Sequence, residues 1–195
     1  ADLRLLRRAV EATENGVLIA DARAPDQPIV YVNPAFSRIT GYAPEDCIGH
    51  NCRFLQGNER DQPALPAIRD AITQAREVRV QLRNYRRDGT PFWNELRMAP
   101  VRDQDGELTH FVGIVNDITE RLLAEDALAY RATHDELTGL PNRELVMECL
   151  AAAVASAEAV GGCVGLVFVD LDDFKLVNDS LGHASGDEVL RTVGR

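Results

Sequence analysis

The sequence predicts an α+β fold in which a five-stranded antiparallel sheet carries helices on one face. Two short apolar runs, residues 17–20 and 29–32, flank the turn residues of 23–28, which is the pattern of a β-hairpin. A region of short helical turns and an amphipathic helix at 64–76 follow. Tight turns then separate three further strand-like runs, which indicates antiparallel neighbours. These runs cover residues 78–85, 91–101 and 108–115.

Length and charge limit the classes of function. The 195 residues have room for one full domain and part of another. A net charge of −10 argues against a non-specific nucleic-acid partner, which needs a basic face. The most apolar stretch, 150–171, is interrupted by glycines and acidic residues, so we predict a helix, a break and a buried strand at 164–171 rather than a membrane span. The scattered four cysteines and four histidines indicate neither a disulfide framework nor a zinc site, and they fit the reducing cytoplasm.

The chain changes its periodicity after Asp117, which suggests a second domain behind a linker. A helix is predicted at 119–131, and its apolar positions give a weak indication of a short coiled coil. Beyond a turn, helices are predicted at 143–158 and 185–193. The predicted domains are an N-terminal helix at 1–14, a sensor at 15–119, a linker helix at 120–134 and the start of a second domain at 135–195. The apolar linker positions are Ile118, Leu122, Leu123, Ala127 and Tyr130.

The densest motif is the octapeptide GHNCRFLQ at residues 49–56. Asn51 and Gln56 can hydrogen-bond a polar heterocycle, and Arg53 can pair with a phosphate. Cys52 stands between them. From the residues alone, a single cysteine is more often a small buried apolar side chain than a reactive thiol.

This octapeptide closely resembles the light-oxygen-voltage (LOV) branch of PAS domains. The resemblance covers roughly residues 15–119. Other matching segments support it on both sides of the octapeptide. They are NPAF at 33–36, ITGY at 39–42, IRDAI at 68–72, NY at 84–85, FWN at 92–94 and DIT at 117–119.

The resemblance implies that flavin mononucleotide (FMN) is the cofactor and that Cys52 is the reactive thiol. In the family, blue light causes the cysteine sulfur to bond to flavin carbon C4a while N5 is protonated. The bond breaks again in the dark.

The family roles carry over to further positions of this chain. Arg53 and Arg69 would hold the phosphate, and Gln56 belongs to the same cofactor-binding segment. Asn84 and Asn94 would hydrogen-bond the polar edge of the ring system. Since they lie ten residues apart across a predicted turn, the two side chains can share one face of the sheet.

One position departs from the family pattern. Where the family has glutamine on the last strand, this sequence has Val115, whose side chain cannot hydrogen-bond. Asn116 points to the opposite face if the strand is regular. We expect bond formation by the thiol to be retained. The alternative is a PAS module that binds flavin and senses redox state without light signalling.

The C-terminal part resembles the start of a GGDEF-type diguanylate cyclase domain, a family that makes cyclic di-GMP from GTP with magnesium. By this resemblance Asp170 would bind magnesium, whereas Asn178 and Asp187 would recognise guanine. Asp135 and Arg143 would have structural roles around the entry turn. The matching segments are DELTGLPNR at 135–143, FVDLDDFK at 168–175, ND at 178–179 and GHASGD at 182–187.

The GGDEF signature itself does not occur among the 195 residues. We therefore expect no cyclase activity from this chain alone, since part of the metal and nucleotide site is missing. The predicted function is a blue-light photoreceptor that regulates an attached diguanylate cyclase and forms a homodimer through the linker helix. An enzyme-class alternative is an intact cyclase whose remaining part lies beyond residue 195. Neither a nucleic-acid nor a membrane partner is expected.

Overall fold

A computed structural model describes residues 3–194 of the chain. The chain divides into two compact units, one ending at Leu122 and the other beginning at Leu123. The first unit contains the sheet, and the regular secondary structure described in the second unit is helical.

The five predicted strands are all present and form one antiparallel sheet. They are β1 (Gly16–Asp21), β2 (Ile29–Val32), β3 (Val78–Tyr85), β4 (Pro91–Arg102) and β5 (Leu108–Asp117). Their order across the sheet is β2-β1-β5-β4-β3, so the last strand lies in the centre, between β1 and β4. The predicted α+β fold is confirmed.

Helices of the first unit pack against this sheet. Contacts join α2 to β1, α3 to β2 and α4 to β3. Proline at the first or second position begins α2, α3 and α4, where its missing N–H costs no helical hydrogen bond. The elements are α1 (Leu3–Glu11), α2 (Pro34–Thr40), α3 (Pro44–Cys47), a 3-10 helix at Cys52–Gln56, called the Cys52 helix below, and α4 (Leu65–Thr73).

The core lies between the inner face of the sheet and these helices. Alternation along the strands points Leu82, Phe92 and Val115 inward, where all three are buried. Phe36 of α2 and Ile29 of β2 are fully buried and belong to one core cluster with Phe92 and Val115. The period-two pattern of the sequence therefore determines which side chains face the helices.

Asn33 is a buried polar residue that joins three backbone segments. Its side-chain oxygen accepts hydrogen bonds from the amides of Val17 (2.8 Å) and Phe36 (2.9 Å), which starts β1 and caps α2. Its side-chain amide donates to the carbonyl oxygens of Val10 and Asn15, both at 3.0 Å. One side chain thus holds the end of α1 close to the first strand.

Asn33→Ala is expected to lower the free energy of unfolding of the first unit by about 3 kcal/mol, because it leaves buried backbone groups without partners. Urea unfolding of wild type and variant measures the difference. Asn15→Ala is the matched control, because the Asn15 side chain is exposed. Equal losses from both substitutions would contradict the role given to Asn33.

Helix α5 (Thr119–Thr133) runs through the boundary between the two units. The helices that follow it in the second unit are α6 (Arg143–Val160), α7 (Phe174–Leu181) and α8 (His183–Val193). The predicted strand at 164–171 is wrong, since residues 162–171 have no regular secondary structure and Phe168 is 90% exposed. A short apolar run forms a strand only where a neighbouring strand pairs with it, and the described part of the second unit contains no other strand.

Helix α1 covers only part of the N-terminal segment predicted at 1–14, because it ends at Glu11 and residues 12–14 are not helical. Helix α1 begins at Leu3, whereas the first two residues of the predicted 1–14 segment lie outside the described range. All four cysteines are free thiols. Between residues 3 and 194, none of the helices has the length and apolar character that a bilayer span requires.

Candidate functional site

A cavity of about 520 Å³ lies between the inner face of the sheet and the helical side of the first unit. Apolar side chains from both sides form much of its wall, including Leu18, Leu96 and Phe111 from the strands and Ile68 from α4. Its polar wall groups come mainly from the segment around the Cys52 helix. They are Gln27, Asn51, Cys52, Arg53, Gln56, Arg60 and Arg69.

The thiol of Cys52 lies in the wall of this cavity. The side chain of Asn51 caps the Cys52 helix by accepting a hydrogen bond from the amide of Arg53 (3.0 Å). The preceding segment is fixed to β2, because the amide of Ile29 donates to the carbonyl of His50 at 2.9 Å. Burial raises the pKa of the Cys52 thiol, and the guanidinium of Arg53 opposes this only in part. The thiol is therefore protonated at neutral pH.

Gly57 allows the chain to leave the Cys52 helix next to the sheet. Its φ of 55° lies in the left-handed region, and a Cβ at this position would stand 2.8 Å from Cδ2 of Tyr85. Only glycine accommodates both the backbone and the tyrosine ring. This close approach seats the helix that carries Cys52 against β3.

Three arginines line the cavity from its helical side. Arg53 forms an ion pair with Asp26 of the β1–β2 loop at 2.5 Å, and Asn51 donates to the backbone carbonyl of Asp26. Within residues 3–194, neither Arg60 nor Arg69 has an ion-pair partner. Guanidinium groups without a carboxylate beside them suit a phosphate.

Asn84 and Asn94 meet on the inner face of the sheet, as their spacing predicts. The Asn94 side-chain amide donates to the Asn84 side-chain oxygen at 2.8 Å, and both residues are almost fully buried. The Asn94 oxygen also accepts a hydrogen bond from the backbone amide of Asn116 at 3.3 Å. The pair lies on the same face of β4 as Leu96, which lines the cavity.

Val115 also lies on this inner face, two residues from Gly113 of the cavity wall, and it is 1% exposed. The β4–β5 register runs without interruption from the Asn94–Asp117 pair to the Val101–His110 pair. Because β5 has no bulge there, the side chain of Asn116 points to the opposite face. The inward-facing residue at position 115 of β5 is therefore apolar.

A family comparison identifies the first unit. Residues 14–120, more than half of the chain, match the model of the PAS domain. The chain belongs to the PAS domain family. Residues 132–195 match the model described as "Diguanylate cyclase, GGDEF domain".

Blue-light-activated kinases and LOV domains are among the proteins similar to the PAS unit. The chain is 44% identical over 117 residues to blue-light-activated histidine kinase 1 of Erythrobacter litoralis, covering 60% of this chain and 32% of the kinase. It also matches the solved LOV domain of the Erythrobacter litoralis EL346 blue-light-activated histidine kinase. The identity is 44% and the TM-score 0.51, over 54% of this chain and 96% of that domain.

A second solved structure, an RNA-binding light-oxygen-voltage receptor, has 44% identity and a TM-score of 0.61. That match covers 66% of this chain and 36% of the receptor. The chain thus spans about a third of the length of the histidine kinase and of the RNA-binding receptor. What these matches share is the PAS unit of LOV type.

One predicted site position of the second unit, Asn178, lies at the contact between α7 and α8. A Cβ at Gly186 would lie 1.9 Å from the side-chain oxygen of Asn178, so glycine at 186 is required for α7 and α8 to pack as they do. Asn178 therefore lies beside the residue that precedes Asp187. By contrast, Asp170 is exposed, and no cluster of three or more metal-ligating side chains occurs within residues 3–194. Its role in binding magnesium stays a prediction.

Asp135 organises the entry turn of the GGDEF unit. Its carboxylate accepts hydrogen bonds from the hydroxyl (2.8 Å) and amide (2.9 Å) of Thr138, and these bonds lower the pKa of Asp135. Asn142 caps α6 directly before Arg143 through the amide of Leu145 at 3.0 Å. The Asp135 contacts are those of a residue that orders a turn, whereas the role of Arg143 stays a prediction.

Sequence reasoning missed two polar residues of the PAS cavity, Arg60 and Gln27. Arg60 lies in the loop between the Cys52 helix and α4, and Gln27 lies in the β1–β2 loop. The only available signal was the position of Arg60 between two segments already predicted to bind the cofactor. Gln27 gave no signal, since a loop glutamine is ordinarily solvated.

Proposed function

We propose that the PAS unit is a blue-light sensor that binds FMN and forms a reversible bond between Cys52 and the flavin. The observation that carries this proposal is the position of the Cys52 thiol in the wall of a 520 Å³ cavity whose other polar groups are amides and arginines. The LOV-type relatives, two of them named as blue-light-activated kinases, support the same function.

The cavity suits the three parts of FMN. The apolar side chains of Leu18, Leu96 and Phe111 offer contact to a flat ring system. Asn84 and Asn94 would hydrogen-bond the polar edge of the ring. The phosphate would bind to the arginines of the helical side. Arg69 has no ion-pair partner within the described chain, and Arg53 would give up its ion pair with Asp26 to bind the phosphate.

Cys52 would carry out the photochemistry as a protonated thiol. Bound flavin would supply the light-excited state, and the sulfur of Cys52 would bond to its carbon C4a as the S–H bond breaks and the thiol proton passes to N5. The reverse transfer in the dark would restore both groups, so no external oxidant or reductant would be required. The raised pKa of the Cys52 thiol supports this role, because the proton that N5 would receive is present at neutral pH.

Absorption spectra of the purified chain, recorded in the dark and after blue light, test this function. We expect a structured flavin band that bleaches on illumination and recovers in darkness. A flavin band that does not bleach would favour a redox-sensing PAS module instead, and a chain that cannot be loaded with FMN would rule out both.

The redox alternative rests on Val115. This inward position offers no hydrogen bond to flavin N5, so the site can hold the cofactor and still lack the usual polar partner on β5. We favour the light sensor because the thiol chemistry needs Cys52 and not an amide at 115.

Val115→Gln is expected to shift the flavin absorption band to longer wavelength, because an inward amide at this position would hydrogen-bond the ring. The dark absorption spectrum of the FMN-loaded protein measures the shift. Asn116→Gln is the control, since that side chain points away from the cavity and should leave the band in place. Identical spectra for wild type and Val115→Gln would show that residue 115 does not contact the flavin.

The downstream function that we propose is control of a diguanylate cyclase, which uses GTP and magnesium when its domain is complete. The match of residues 132–195 to the GGDEF domain supports this proposal. Exposed apolar residues on one side of α5 (Leu123, Ala127 and Tyr130) offer a surface for a second copy of the chain. The net charge of −10 supports a protein-based output rather than nucleic-acid binding.

A further inference from the structure

The outer face of the sheet carries a buried carboxylate beside the start of α5. On β4, Asn94 and Leu96 point inward, so Glu95 between them points to the opposite face. Its side chain is nevertheless only 8% exposed. A carboxylate is rarely buried without partners, so its contacts indicate what holds it there.

Glu95 contacts arginines from two different elements. Its carboxylate oxygen lies 2.7 Å from the guanidinium of Arg79 on β3 and 3.8 Å from that of Arg121 in the first turn of α5. The hydrogen bond from Arg79, against a smaller opposing effect of burial, lowers the pKa of Glu95. The residue is therefore a negative charge shared between the edge of the sheet and the linker helix.

The start of α5 is attached to the same strand by its backbone. The amide of Ile118 donates to the carbonyl of Trp93 at 2.9 Å, and the amide of Trp93 donates to the hydroxyl of Thr119 at 2.8 Å. Ile118 itself is buried. Strand β4 thus holds α5 at two neighbouring outward positions, Trp93 through its backbone and Glu95 through its charge.

The inward residue between these two positions is Asn94. It hydrogen-bonds Asn84 on the cavity side and accepts from the backbone amide of Asn116 on β5. The sheet register pairs Asn116 directly with Glu95. A displacement of Asn94 would therefore move the backbone that positions Glu95, and no side chain at position 115 is needed for this coupling.

We propose that Glu95 anchors the first turn of α5 to the sheet through Arg121, and that changes at the flavin reach the linker helix through Asn94 and this anchor. The second half of the proposal rests on the proposed photosensory function. The first half concerns the dark structure alone, so the two can fail separately.

Hydrogen–deuterium exchange of peptides from α5, measured on the FMN-loaded chain in the dark and under blue light, tests the anchor. Arg121→Gln removes the charge from a half-exposed side chain and should fold normally. In the dark, we expect Arg121→Gln to exchange about threefold faster than wild type in residues 119–128, because loss of a partly exposed ion pair has an effect of about this size. Glu95→Gln should have the same effect on these residues. Arg131→Gln, the same change further along α5, is the matched control and should exchange like wild type there.

Illumination of the same samples tests the coupling. In wild type and Arg131→Gln, light should accelerate exchange in residues 119–128, whereas in Arg121→Gln the difference between dark and light should fall by at least half. Unchanged dark exchange in Arg121→Gln would overturn the anchor, and an undiminished light difference would overturn the coupling. A wild-type flavin that does not bleach refutes the photosensory function instead, and the dark comparison still decides the anchor.

Discussion

Cys52→Ala is expected to bind FMN and to lose bleaching under blue light completely. The cavity keeps its apolar walls and its arginines, and the buried asparagine pair on the same face of the sheet is unchanged, so cofactor binding should persist. The sulfur that forms the bond and the proton that reaches N5 both belong to the deleted thiol, so neither step has a replacement. Absorption before and after illumination measures the loss.

Cys47→Ala is the matched control for this substitution. Cys47 is fully buried in the same core five residues earlier, and burial raises its pKa to about 11. It does not line the cavity, so its removal should leave bleaching intact. Bleaching that survives in Cys52→Ala would refute the assignment of the reactive thiol.

The double variant Arg53→Gln/Arg69→Gln is expected to bind FMN at least about 100-fold more weakly than wild type. Each guanidinium would make charge-assisted hydrogen bonds to the phosphate, and such bonds contribute about 1.5–3 kcal/mol each. The pair that Arg53 forms with Asp26 is exposed, so its loss should cost little folding stability. Quenching of FMN fluorescence on binding measures the dissociation constant.

Two controls separate phosphate binding from damage to the fold. Riboflavin has the same ring system without a phosphate, so its affinity should change little in the double variant. Arg76→Gln removes a guanidinium that pairs with Asp70 near the end of α4 and does not line the cavity. An equal loss of affinity for riboflavin and FMN would mean that the two arginines support the cavity rather than the phosphate.

Local sequence patterns predict the PAS fold well, because inward-facing and outward-facing residues alternate along its strands. The run Val78–Tyr85 was predicted at its observed bounds, and β5 extends only two residues beyond the predicted 108–115. The same reasoning failed at 164–171. The apolar run there would form a buried strand if neighbouring strands paired with it, but the described part of the second unit contains no strand.

The site was predictable to the extent that it is local. The segment 51–56 contributes four of the cavity's polar groups from one short motif, and the ten-residue spacing of Asn84 and Asn94 placed them on one face. Arg60 and Gln27 were missed because tertiary folding brings their loops to the cavity. The ion pair between Arg53 and Asp26 joins residues 27 positions apart, and the pattern of a single segment does not report such contacts.

Helix α5 leaves the sheet at Thr119 and continues without a break to Thr133, through the boundary between the two units. Its 15 residues correspond to a rod of about 22 Å with 3.6 residues per turn. The number of residues in α5 therefore fixes on which side of the helix axis each of its apolar residues lies. One inserted residue would rotate the apolar positions after it by about 100° about this axis, whereas seven would return them almost to their original side. Insertions of seven residues are therefore expected to preserve the apolar side of α5, and an insertion of one residue is expected to break it.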